Sequence, residues 1–272
     1  MSDNYVSIIL PTYNRMGVLD KAINSVLEQT YTKFELIIVD DGSTDGTEEY
    51  VKGIDNARVQ YIRGNHKGAA AARNLGLQNA QYKYIAFQDS DDLWVKTKLE
   101  KQMKILTEAD DEVALVYCQY EYHPLQGNQS MNWPPDGMPE EMCSGNMLRQ
   151  LLKQNLIGTP TMLLRKNVIE KVGTFYEDLP ALEDYEFALR VARQYKIGYV
   201  KEPLLQVYES KDSISNDNEA FFVVMCYLIK CYRKELLEFE LFNEVVASLL
   251  KKAELLGAVE PVSRMLERML TS

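Results

Sequence analysis

Short, continuously apolar runs alternate with helical patterns along the first third of this chain, and that rhythm narrows the fold more than any other feature. Ile8-Ile9-Leu10 and Leu36-Ile37-Ile38-Val39 carry no polar break, as expected of strands with both sheet faces covered. The order is strand Val6–Leu10, helix Val18–Gln29, strand Phe34–Asp40, helix Asp45–Lys52, strand Val59–Ile62, helix Gly68–Ala80 and strand Tyr84–Phe87. This βαβα order predicts an α/β fold with a mostly parallel central sheet flanked by helices.

In such sheets ligands bind beyond the carboxyl ends of the strands. Those ends carry Pro11-Thr12-Tyr13-Asn14-Arg15, Asp40-Asp41-Gly42-Ser43 and Asp89-Ser90-Asp91-Asp92, so three polar clusters are expected on one edge. Three carboxylates within four positions repel one another, and a hard divalent cation or plain solvation would offset them. Chance acidic turns would fall at both ends of the strands, so convergence on one edge favours a pocket. There Asp41 is suited to accept a base N–H, while Thr12 and Tyr13 offer a hydroxyl and a ring face. Asp45 and Glu48 are spaced as a capping box. The loop Gly64 to Gly68 opens into the small-residue helix containing Ala69 to Ala72. Its cations His66 and Lys67, with Arg73 beyond, suit a diphosphate near a helix N-terminus, although the order is not that of a Walker loop.

Composition excludes some alternatives. A net charge of -10 among 272 residues leaves no basic footprint for nucleic acid. The polar Met1 to Asn4 passes directly into the first strand, which predicts a cytoplasmic protein. Cys118, Cys143, Cys226 and Cys231 match neither a redox pair nor a zinc spacing and are expected to be reduced core residues.

Four ordered blocks carry a specific resemblance: Val6 to Arg15, Val39-Asp40-Asp41-Gly42-Ser43-Thr44-Asp45, Ala72-Arg73-Asn74 and Asp89-Ser90-Asp91-Asp92. Together with Val172-Gly173-Thr174-Phe175, Glu183-Asp184 and Arg190, they resemble the family 2 glycosyltransferases of bacterial polysaccharide synthesis, whose fold is GT-A. The resemblance implies inverting transfer from a nucleotide diphospho-sugar, UDP-linked, to a hydroxyl of a glycan or lipid-linked acceptor. It implies a manganese or magnesium ion held at Asp91 and Asp92, with Asp89 a second candidate. Pro11, Thr12, Tyr13, Arg15, Asp41, Lys67, Arg73, Asp89, Ser90 and Asp91 would bind the donor. Asp184 would be the general base, with Glu183 beside it, although acids at a helix start also suit the helix dipole. Thr159 falls in a segment similar to the acceptor-side wall. Where many relatives carry a histidine that joins the metal or diphosphate, this chain has Lys211. A protonated lysine cannot ligate a metal, so the ion is expected to rest on carboxylates and donor phosphates. A nucleotide-sugar-binding module without turnover is the alternative reading.

The implied catalytic domain is residues 1–216, with a donor half to about 110 and an acceptor half from 111, followed by a helical extension over 217–272. Between Tyr120 and Gly145 several prolines and glycines read as a long loop, in which Trp133 either packs or stacks on a sugar. Trp94 is expected to anchor the helix Thr97–Glu108. The extension reads as helices over Ala220–Phe239, Leu241–Leu256 and Pro261–Leu270. Its apolar first part fits packing or a homodimer better than contact with the inner face of the membrane.

Overall fold

The computed structural model describes residues 4–125, 129–209 and 217–271; Lys211 lies outside them. Strands β1 (Val6–Thr12), β2 (Phe34–Asp40), β3 (Val59–Arg63) and β4 (Tyr84–Phe87) alternate with helices α1 (Met16–Leu27), α2 (Thr47–Lys52) and α3 (Ala69–Asn79). The expected α/β order is therefore present. The second half adds β5 (Leu93–Trp94), α4 (Lys98–Glu108), β6 (Val113–His123), β7 (Met131–Trp133), α5 (Leu148–Lys153), β8 (Leu163–Arg165), α6 (Lys166–Val172), α7 (Glu183–Ala192) and β9 (Lys196–Tyr208).

The nine described strands form one sheet in the order β3-β2-β1-β4-β8-β6-β9-β5, with β7 on β6. The β1 to β4 pairings are parallel, as is β6 with β9, whereas β8 runs antiparallel to both β4 and β6. From β1 the chain builds outward to β2 and β3 on one side and to β4 on the other, so the ends of β1 and β4 border the crevice where such folds hold ligands.

Strand periodicity separates two layers of core. Val6, Ile8 and Leu10 of β1 join Leu36, Ile38, Tyr84 and Ala86 under α1 and α4. Ile9, Ile37, Val39, Ile85 and Phe87 face the other layer with α3, α5 and α7. A period of two puts alternate residues on opposite faces, and apolar residues at every position fill both. The small residues of α3 serve close approach: a methyl added at Gly76 would collide with the Ile9 side chain.

The extension is helical over α8 (Asn218–Cys231), α9 (Arg233–Glu238), α10 (Phe242–Leu255) and α11 (Val259–Thr271). Phe222, Val224, Leu236, Leu249 and Leu266 belong to the same core cluster as α5 and α7, so these helices complete one face of the sheet. No described helix is long and apolar enough to cross a membrane.

Several expectations need correction. The helix read over Ala220–Phe239 is broken at Tyr232 into α8 and α9. The loop read from Tyr120 to Gly145 instead extends β6 and returns as β7, pairing Tyr120 with Trp133. Its prolines lie beyond the paired segment, where no ladder N–H is required. Glu48 does not close a capping box; it pairs with Lys52 and with Arg63 at 2.7 Å. Asp45 joins two helix starts, accepting from the Met16 N–H of α1 at 2.9 Å and the Thr47 hydroxyl at 2.6 Å. Cys118, Cys143 and Cys226 are buried and free, but Cys231 is exposed. Trp94 is buried with the Lys98 ammonium of α4 4.0 Å from its ring centroid, which agrees with an anchoring role.

Candidate active site

A cleft of about 820 Å³ opens at the carboxyl edge of β1, β2 and β4. Pro11, Thr12, Tyr13, Arg15, Asp41, Arg73, Asp89, Ser90, Asp91 and Asp92 line it from the segments around β1, β2, β4 and α3, and Thr159, Glu183 and Asp184 from the turn before β8 and the start of α7. Clusters far apart in sequence thus meet in one space because each ends a strand, or begins a helix, on the same edge.

The strand-end acids divide their work. Asp40 is fully buried and clasps its own turn, accepting from the Ser43 N–H at 2.8 Å and the Tyr61 hydroxyl at 2.7 Å. Burial and that bond push the Tyr61 pKa up to about 12. Asp41 reaches the cleft, and its two oxygens accept the Lys67 and Gly68 N–H groups at 3.1 and 2.7 Å. This holds the 64–68 loop against β2. His66, at φ 53°, turns the chain there, and its ring lies 4.4 Å from that of Tyr13. Lys67 departs from expectation: its side chain is exposed and outside the cleft lining, and only its backbone N–H serves the site.

Arg73 is buried under the cleft floor and forks between the halves, donating to Asp89 at 2.9 Å and to Glu183 at 2.6 Å. Burial alone would pull its pKa down, but the charges of Asp89 and Glu183 reverse that and hold it above the ordinary arginine value. The next residue, Asn74, has a structural duty: it donates to the Phe175 carbonyl at 2.9 Å and accepts from the Phe175 N–H at 3.0 Å. That exchange ties α3 to the segment preceding α7.

Asp91 and Asp92 resist ionising together. Burial first, and then Asp89, raise the pKa of Asp91, which Arg15 offsets in part from 3.9 Å. Asp92 is buried more deeply, and burial followed by Asp89 and Asp91 raises it well above the ordinary carboxylate value. Among the described residues no three histidine, cysteine or carboxylate side chains are grouped to hold a metal by themselves. The donor set fits a hard cation nevertheless, since closely spaced carboxylates that resist ionising together are relieved by one. The remaining ligands would have to be oxygens of donor or solvent.

Across the cleft Asp184 opens α7. Its oxygens accept the Tyr185 N–H at 2.7 Å and the Thr159 N–H at 3.4 Å. Part of the residue faces the cleft, yet the carboxylate is encircled by protein. Burial, followed by the neighbouring Glu183 charge, lifts its pKa to about 7, with Arg73 opposing.

Sequence reasoning missed part of the wall. Tyr120, Asn155, Leu156, Ile157, Asp217 and Phe221 also line the cleft, with no acidic cluster or glycine turn to mark them.

The family model for glycosyl transferase family 2 matches residues 7–173. The chain belongs to that family. It is 34% identical over 208 residues to an uncharacterized glycosyltransferase of Rickettsia conorii, covering 76% of this chain and 33% of that one. It is 40% identical over 122 residues to the Escherichia coli UDP-Glc:alpha-D-GlcNAc-diphosphoundecaprenol beta-1,3-glucosyltransferase WfgD, covering 44% of this chain and 47% of WfgD. The chain thus spans less than half the length of each of these two relatives. The fold is shared with S. aureus TarS 1-349, solved in complex with UDP-GlcNAc (TM-score 0.69, 22% identity, 92% of this chain and 72% of that one). It is also shared with the mannosyltransferase PcManGT of Pyrobaculum calidifontis in complex with GDP-Man and Mn2+ (TM-score 0.61, 20% identity, 98% and 79%). These structures identify the architecture as GT-A.

Proposed function

We propose that this protein transfers a sugar from a nucleotide diphospho-sugar, UDP-linked, to a hydroxyl of a glycan or lipid-linked acceptor with inversion at the anomeric carbon. The observation that carries the proposal is the meeting in one cleft of the strand-end residues Asp41, Asp89, Asp91 and Asp92 with a carboxylate, Asp184, whose pKa is lifted to about 7. A general base performs best when its pKa lies near the working pH, and a solvated aspartate would be too weak.

Each residue then has a defined task. Tyr13 and the buried Thr12 border the nucleoside, with Asp41 fixing the loop beneath it. Arg15 and the N-terminus of α3 supply positive potential for the diphosphate. Asp91 and Asp92 would hold a manganese or magnesium ion together with donor oxygens. Such an ion, when bound, neutralises charge developing on the leaving diphosphate. Asp184 takes the proton of the acceptor hydroxyl on a free lone pair as that oxygen bonds to the anomeric carbon. The bond from carbon to diphosphate breaks with its electron pair leaving on the nucleotide. One displacement from the opposite face inverts the centre. Arg73 keeps Glu183 paired, which leaves Asp184 as the unpaired acid on that side.

The alternative, a module that binds nucleotide sugars without turnover, makes a different prediction for Asp184. The test is a panel of UDP- and dTDP-sugars with manganese, read by thermal stabilisation and by slow donor hydrolysis. Stabilisation and hydrolysis together support the enzyme; stabilisation without hydrolysis or transfer supports the module; no stabilisation by any nucleotide overturns both.

A further inference from the structure

Besides the charged groups already described, the cleft is lined by Tyr120, Trp133, Leu156, Ile157 and Phe221, with Asn155 and Asp217 as polar members. Phe221 comes from α8, so the C-terminal helices contribute to the cleft itself.

Two of these aromatic rings are held in place. The indole N–H of Trp133 donates to the Asn155 carbonyl at 3.1 Å, and the Lys252 ammonium of α10 sits 3.4 Å from the Phe221 ring centroid. The wall also leads directly to the reacting centre. Asn155 accepts the indole hydrogen bond, and Thr159, four residues on, donates its N–H to Asp184. Four backbone steps span at most about 14 Å, so Trp133 lies within reach of a molecule whose hydroxyl meets Asp184. Rigid apolar faces interspersed with a few polar groups suit a ligand that has both apolar C–H faces and a rim of hydroxyls. A pyranose ring has that character, whereas an open-chain polyol presents no flat face.

We infer that Trp133 and Phe221 form an acceptor subsite for a hexopyranosyl ring, completed by the C-terminal helix α8. This rests on the glycosyl-transfer reading above and assigns the acceptor class that reading leaves open.

The chain has two tryptophans, and Trp94 borders a separate hollow with Lys21, Ser25 and Glu28, so emission can report on Trp133. The full chain, loaded with UDP and manganese, is titrated with methyl hexopyranosides and in parallel with open-chain alditols. A saturable emission change with a pyranoside, absent in Trp133→Phe and absent with alditols, is expected. In transfer assays using methyl or benzyl pyranosides, Phe221→Ala should raise the acceptor KM about tenfold while the donor KM moves less than twofold, and Phe221→Leu should fall between. Should Phe221→Ala not fold, Phe221→Leu and the Trp133 titration carry the test. Donor stabilisation and hydrolysis with no pyranoside response at Trp133, a response to alditols alone, or unchanged acceptor KM in both Phe221 variants would overturn the subsite while leaving sugar transfer intact. Failure of the wild-type protein to bind any nucleotide sugar would instead remove the reading on which the subsite rests.

Discussion

Arg73 and Glu183 are 110 positions apart in sequence and 2.6 Å apart in space, and the same guanidinium reaches Asp89 at 2.9 Å. One buried cation therefore joins the acids after β4 to the start of α7. Removing it leaves Asp89 and Glu183 facing each other beside Asp184. Arg73→Ala is expected to cost about 3–5 kcal/mol in urea unfolding, as breaking a buried ion pair does. Arg73→Lys should recover only part, since an ammonium cannot fork between two carboxylates as a guanidinium does. A loss below ~1 kcal/mol in Arg73→Ala would mean the pairs are effectively solvated.

Asp184 should govern the rate. Asp184→Asn is expected to lower transfer by about 10²–10⁴-fold while nucleotide binding persists. In the wild type the base works only when ionised, so kcat/KM should rise with pH through about 7, the value set by burial and Glu183. An unaltered rate in Asp184→Asn, or a profile flat from pH 6 to 8, would assign the base elsewhere.

The same carboxylate carries a stability signature. Its folded pKa of about 7 lies above the ordinary 3.8, so between those values the folded state holds a proton that the unfolded state releases. Stability must then fall as pH rises through that window, and the penalty is complete above about pH 7. Asp184→Asn removes it and should be more stable than wild type at pH 8 by on the order of 4 kcal/mol. Equal midpoints for the two proteins at pH 5 and pH 8 would contradict this.

Lys98 has the opposite sign. It is fully buried, donates to the Gln102 carboxamide at 2.8 Å, and burial pulls its pKa down to about 8 from 10.5. Between those values the unfolded chain binds the proton and the folded chain does not, so stability should climb from pH 8 toward pH 10.5 by about 3 kcal/mol. Lys98→Met should flatten the climb. Hydrogen–deuterium exchange of the β6 and α4 amides across pH 8 to 10 offers a second readout, and no strengthening of protection there would count against the assignment.

That the strand-end residues share one cleft was legible in the sequence because it depends on local pattern. Apolar runs such as Leu36 to Val39 dictate doubly covered strands, their order dictates parallel pairing, and the polar residues that follow must then gather at one edge. Asp41, Asp89, Asp91 and Asp92 were readable for that reason, since each lies within five residues of the end of β2 or β4. Lys67 shows the limit of the approach. A cation in a glycine-bearing loop suggested a diphosphate contact, but the left-handed turn at His66 leaves its backbone N–H on Asp41 and its side chain in solvent.

Tertiary structure alone decided the rest. That Arg73 pairs with Glu183, that Thr159 holds Asp184, and that Phe221 closes the cleft from α8 are contacts between segments tens of residues apart, each set by how helices dock on a shared core. The sequence by itself determined which residue types reach the ligand edge, because strand periodicity and chain order are local properties. Which carboxylate is neutralised by a cation, and which is left buried with its pKa raised toward a useful value, depends on distances that only packing establishes.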